Sequence, residues 1–167
     1  MSAKRGGATI DVDRRLTDYL DKIVSRGSRD YETIIGWPEE ARYPLNKESG
    51  ERGQRYAAVA AWLEFGVDMP GAAKIPPRPF IAQALEDSYV DVLDLLGDVA
   101  DEGGFSLTMM KRLGVLVESA IKEAMVSGTY APLSEFTLEK RQGRGGTRPL
   151  INTGALRQSV TSWAYAV

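Results

Sequence analysis

Residues 80–128 read FIAQALEDSYVDVLDLLGDVADEGGFSLTMMKRLGVLVESAIKEAMVSG, and the fold turns on how this stretch is organised. Ile81, Leu85, Val92, Leu96 and Val99 recur at helical spacing, with Glu86, Asp87, Asp91, Asp94 and Asp98 on the other faces, so Phe80–Asp101 predicts an amphipathic, acidic helix. Pro79 suits the first turn of that helix, where its missing N–H costs nothing. Gly103-Gly104 breaks the chain, and Ser106 is placed to cap a second helix. In that helix Met110, Leu113, Val117, Ala120 and Ala124 form an apolar stripe, and Gly128 ends it. Two long helices joined by a short glycine link predict an antiparallel helical hairpin at about 79–127.

Upstream, RYAAVAAWLEFG (55–66) predicts a helix of small residues closed by Gly66, and VDMPGAAKIPPRP (67–79), with four prolines, predicts an extended connector. Tyr31–Trp37 is β-branched and aromatic and predicts a strand stopped by Pro38; residues 38–54 predict a long exposed loop. At the start, a flexible arm (1–7) precedes a short strand at Ala8–Val12. Asp13 then caps a helix with Leu16, Leu20, Ile23 and Val24 on one face. Downstream come a short helix near Ser134–Arg141, a basic glycine-rich loop (140–149), a turn and a terminal strand within Ser159–Val167. The expectation is one α+β domain spanning 1–167, with a small, mainly antiparallel sheet of about three or four strands covered by helices.

The 167 residues contain neither cysteine nor histidine. Disulfides, thiolate chemistry and cysteine-ligated metals are excluded, and the commonest general base, triad member and zinc ligand are absent too. The 21 basic and 23 acidic residues leave a net charge of −2, which gives no global field for a polyanion. No apolar window approaches the roughly 20 residues of a membrane span, and MSAKRGGATI lacks the apolar core of a secretory signal, so a cytoplasmically made, soluble protein is expected.

The acidic stretch Glu86–Glu102 has seven carboxylates and no basic residue, yet they are spread around one helix rather than converging on a metal, which favours a solvated face. Ser134, Thr137, Ser159 and Thr161 lack an adjacent activating base, so no catalytic residue, metal site or cofactor is expected. The Gly143–Gly146 run fails the Walker pattern. Lys140, Arg141, Arg144, Arg148 and Arg157 make 140–157 wholly basic. The segment is a solvated loop, a docking surface for an acidic helix of a neighbouring subunit, or a contact to DNA.

Two clusters combine glycine, proline, aromatic and charged residues in an order that periodicity does not require. The first joins Ala60–Gly66, containing Trp62, Glu64 and Phe65, to Ile75–Ile81, containing Arg78 and Phe80. Prolines on both sides of Arg78 stiffen it as an interface anchor with Phe80 beside it; alternatively Phe65 and Phe80 pack under the connector and Arg78 pairs with Glu64 or a helix acid. The second runs from Pro132-Leu133-Ser134-Glu135-Phe136-Thr137 through Lys140 to Arg148-Pro149-Leu150-Ile151 and Thr153–Val160. There Thr153 suits a cap, Gly154 permits close backbone approach and Leu156 packs.

Together these residues resemble the tail-completion, or virion-morphogenesis, proteins of long-tailed bacteriophages, a family of minor tail and neck proteins. Its recurring text is a Glu-Phe-Gly ahead of Pro-x-Arg-Pro-Phe, a Leu-Ser-x-x-Thr before a lysine, and a Pro-Leu-x-x-Thr-Gly-x-Leu-x-x-Ser near a terminal strand; residues 55–167 carry all three. The resemblance implies a non-enzymatic structural protein that forms a ring, sixfold like phage tails, and helps join the DNA-filled head to the tail. Implied partners are copies of itself and neck, head-completion, tail-terminator or tail-tube proteins, near channel DNA and away from membrane. Trp62, Glu64, Phe65, Arg78, Phe80, Arg144, Arg148, Thr153, Gly154 and Arg157 are the expected interface residues. The alternative is a nucleic-acid-associated module that uses 140–157 on DNA.

Overall fold

The computed structural model describes residues 30–44, 52–68, 74–101, 104–141 and 146–167. The expected arm 1–7, strand Ala8–Val12 and helix from Asp13 lie outside the described residues, as do 45–51 of the long loop and Arg144. The elements run β1 (Tyr31–Gly36), α1 (Tyr56–Phe65), α2 (Phe80–Asp87), α3 (Tyr89–Asp101), α4 (Leu107–Ser127), α5 (Glu135–Arg141), α6 (Ala155–Gln158) and β2 (Thr161–Ala166). The class is α+β, and among the described residues the sheet has two strands rather than three or four. These strands are antiparallel, with Tyr31 opposite Ala166 and Ile34 opposite Trp163.

α4 is the centre of the molecule. Ser106 caps it by accepting from the Met109 amide, as the sequence predicts. Its flank toward the helices buries Val117, Ile121, Ala124 and Met125 with Phe80 and Ala84 of α2, while Met109 meets Leu95 and Val99 of α3. Early residues of one arm thus meet late residues of the other, which is an antiparallel hairpin. Both strands also pack on α4. Gly114 is where they come closest: a Cβ there would lie 2.9 Å from Ser162 Cβ and 3.1 Å from Thr33 Cγ2, so only glycine admits the sheet at this distance. Hydrogen bonds from Thr33 Oγ1 to the Met110 carbonyl (3.0 Å) and from Ser162 Oγ to Glu118 Oε2 (2.9 Å) fix the register of sheet on helix.

Two expectations for the hairpin are corrected. Its first arm is not one helix: Ser88, 4% exposed, divides α2 from α3, and its hydroxyl donates to the Ala84 carbonyl at 2.7 Å. A serine bonded back to the preceding turn bends a helix without ending its ladder, and the Val92 amide still reaches the Ser88 carbonyl at 2.9 Å. Leu85 leaves the expected apolar face and is 51% exposed; the buried stripe is Phe80, Ala84, Ser88, Leu95 and Val99.

The loop after β1 is also less free than expected. Arg42 and Arg55 form an antiparallel bridge, and the Tyr43 and Tyr56 rings meet edge to face at 4.6 Å, which pins the described ends of 38–54 together. The connector likewise folds back instead of running extended. Val67 and Ile75 exchange both backbone hydrogen bonds at 2.9 Å, enclosing 69–73, which lie outside the described residues.

Candidate functional site, a groove where the sequence motifs meet

Gly66 ends α1 with φ of 75°, and a Cβ there would meet the Ile75 carbonyl oxygen at 2.8 Å and the Pro77 nitrogen at 2.9 Å. The turn therefore needs glycine for both its conformation and its space. It returns the chain across α1, so that the Arg78 amide donates to the Leu63 carbonyl at 2.7 Å. This brings Glu64 to the start of α2. Its buried carboxylate accepts from the Ile81 amide at 2.8 Å and the Ala82 amide at 3.1 Å. Pro79 has no side chain to cap α2, and Glu64, distant in sequence, supplies both the acceptors and a negative charge at the positive end of the helix.

Arg78 is 4% exposed, and its guanidinium belongs to its own chain: Nε donates to the Ala131 carbonyl at 2.9 Å and a terminal nitrogen to that of Pro132 at 3.1 Å. The partner is the backbone leading into α5, neither Glu64 nor a helix acid. Burial, then the neighbouring Arg141 charge, lowers the Arg78 pKa from its ordinary value. Phe80 is fully buried and meets the Trp37 ring edge-on at 6.2 Å. Neither residue is presented outward; of the first cluster, Phe65 (81% exposed) and Trp62 face solvent.

The second cluster closes around the same place. Arg141, at the end of α5, donates to the carbonyls of Arg148 and Ile151, each at 2.9 Å, and thereby gathers the loop that follows it. Burial lowers its pKa, while the nearby Tyr43 acts in the opposite sense. Arg148 donates to the Val126 carbonyl at 3.0 Å, capping the negative end of α4. Ser134 and Thr137 share a 2.9 Å hydroxyl contact at the start of α5. Thr153 Oγ1 accepts from the Ala155 amide at 3.3 Å, but the cap position of α6 is held by Gly154, with φ of 77°. Leu156 is buried, its carbonyl accepts from Trp37 Nε1 at 2.8 Å, and Arg157 Nε is buried with no hydrogen-bond partner among the described residues.

These pieces enclose an open groove of about 440 Å³. Leu63 and Arg78 come to it from the first cluster, Leu133, Ser134, Phe136 and Thr137 from the Leu-Ser-x-x-Thr text, and Pro149, Leu150, Thr153, Gly154 and Leu156 from the third. Tyr43, Lys74 and Arg141 complete an apolar cleft with a basic cast. Of the expected interface residues, Arg78, Thr153 and Gly154 line it; Glu64 and Phe80 build its support; Trp62, Phe65, Arg148 and Arg157 do not line it. Tyr43 and Trp37 were not singled out by the sequence, and Arg141 entered only as one of the basic residues of 140–157. For Trp37 a signal existed, since an indole N–H buried at a strand end needs an acceptor. Arg141 carried none within a run of like charges.

Among the described residues no group of three or more acidic side chains is placed to hold a metal ion, and no helix is long and apolar enough to cross a membrane. A scan against protein-family models, a search of curated proteins and a search of solved structures each gave no match to this chain.

Proposed function

We propose that this chain is a structural component of a tailed-phage virion, a tail-completion or neck protein that forms a closed ring and helps join the DNA-filled head to the tail. It acts by binding, without turnover. The observation that carries the reading is convergence: the three stretches of text on which the family resemblance rests lie up to about a hundred residues apart, yet line or support one groove. A coincidental set of short motifs has no reason to meet in space. Support also comes from the surface, where Phe65, Val90, Tyr89 and Phe136 are each more than 60% exposed, an apolar load that suits a subunit of an assembly.

The test is deletion of the coding sequence from the phage genome that carries it, followed by electron microscopy of the lysate. The expected result is filled heads and separate tails, with joined particles restored by supplying the chain in trans. An unchanged yield of infectious particles overturns the proposal.

A further inference from the structure

The outer side of the hairpin's first arm carries a second surface that the fold does not use. Leu85, Tyr89 and Leu93 follow one another at four-residue spacing, so they share a face; they are 51%, 61% and 47% exposed, with Val90 beside them at 64%. Glu86 and Asp94 flank this stripe, exposed and without an ion pair among the described residues. The arm therefore has two apolar sides, one packed on α4 and one uncovered, and its charges are all of one sign. A helix that serves only one core does not need the second side.

The groove is its complement in both respects. It is apolar, and its charged lining is Lys74, which is exposed and pairs with Asp68 at 2.6 Å, and Arg78 and Arg141, which are held by backbone carbonyls; Lys140 stands at its margin, 4.5 Å over the ring of the lining residue Phe136. No residue belongs to both surfaces. We infer that the Leu85–Tyr89–Leu93 face of one copy docks on the basic groove of a second copy, making a head-to-tail contact between identical subunits. The inference rests on the groove being a binding surface, as proposed above, and names its partner. Apolar contact provides the area, while Glu86 and Asp94 opposite Lys74 and Lys140 set the register. A contact between two different patches repeats from copy to copy, and it closes into a ring when the rotation per subunit divides the circle.

The experiment is sedimentation of the full chain over a range of concentration and salt, with charge-reversed variants at exposed positions. One variant carries Lys74→Glu and Lys140→Glu, a second carries Glu86→Lys and Asp94→Lys, and a third carries all four. The parent is expected to self-associate, more weakly as salt rises. Each double variant should associate at least about tenfold more weakly, and the fourfold variant, or an equimolar mixture of the two doubles, should recover most of that loss. Leu93→Ser, which changes no charge, should weaken association at every salt. The inference is overturned by a parent that stays monomeric, by double variants that associate like the parent, or by no recovery on restoring complementarity. Variants that behave like the parent, or fail to recover, remove this interface alone; a monomeric parent also counts against ring formation, while the part of the reading that concerns head–tail joining is tested by the deletion phenotype.

Discussion

At the scale of single residues, the groove is built by side chains that complete hydrogen bonds for backbone far away. Arg78→Ala leaves the carbonyls of Ala131 and Pro132 without their donors in a buried place. We expect a loss of about 2–4 kcal/mol, a fall of roughly 10 °C in melting temperature by calorimetry, and little recovery in Arg78→Lys, which lacks the planar fork. A melting temperature equal to the parent's would return Arg78 to the role of an outward anchor that its proline-flanked setting suggests. Glu64→Gln keeps the shape but removes the charge at the head of α2 and turns an amide group toward a donor; it should cost about 1 kcal/mol, read from urea unfolding. An unchanged midpoint would mean that the cap contributes nothing. That these two residues matter was legible in the sequence, and their partners were not. Opposite charge made Glu64 a natural mate for Arg78, but each is satisfied by backbone 17 or more positions away, and no local pattern records where a distant carbonyl or amide will stand.

Among the elements, the contact between α4 and the sheet depends on a glycine and a carboxylate. Gly114→Val drives side-chain atoms into Ser162 and Thr33 and should cost about 1–3 kcal/mol, with loss of near-ultraviolet dichroism from the neighbouring Trp163. A variant with parental stability and spectrum would show that the sheet can shift at no cost. Glu118 gives the same contact a pH dependence. Burial acts to raise its pKa, but hydrogen bonds from Lys122 and Ser162, with the Lys122 charge, outweigh that and hold it below its ordinary value. A depressed carboxyl contributes stability that is complete above its unfolded pKa, about 4.3, and is lost as pH falls through the lower folded value. The parent should therefore be more stable than Glu118→Gln at neutral pH, and the difference should shrink as pH falls below the unfolded value; a gap constant with pH would exclude the carboxylate as its source. The helical hairpin was legible from its apolar periodicity, and β1 from its β-branched and aromatic residues ahead of Pro38. The break at Ser88 was not, since a serine is acceptable within a helix and nothing in the local pattern marks its hydroxyl as bonded back to Ala84. Leu85 misled for a different reason: hydrophobicity marks a face to be covered without saying whether the same chain covers it.

Across the whole molecule, the core is uneven, and this sets the order in which it should open. The main cluster ties α1, α2, α4, α6 and the residue before β2 through Ala60, Phe80, Ile121, Met125, Leu156 and Val160. Beyond it, the turn of the hairpin is held by a satellite of Leu95, Val99 and Met109 with Phe105, Leu113 and Leu116 against it. The satellite has only three buried residues, so that end should open at a lower free energy, although Leu113 and Leu116 also pack on the main cluster and the Met110 carbonyl is tied to Thr33; the other end of α4 cannot separate without dismantling the main cluster. Native-state hydrogen exchange should accordingly show the amides of Leu95–Val99 and Met109–Leu113 opening at a lower free energy than those of Val117–Met125, which should exchange only with global unfolding. Val99→Ala, which removes buried methyl groups from the satellite, should lower the first set further and change the second less. The proposed head-to-tail contact adds a condition that the isolated chain lacks. Its stripe ends at Leu93, beside the satellite, so association should raise the opening free energy of Leu95–Val99 as protein concentration increases, while that of Met109–Leu113 follows only through packing. Equal protection of both ends of α4 at low concentration would mean that the two clusters unfold as one, and the hairpin turn would then be as firmly held as the groove.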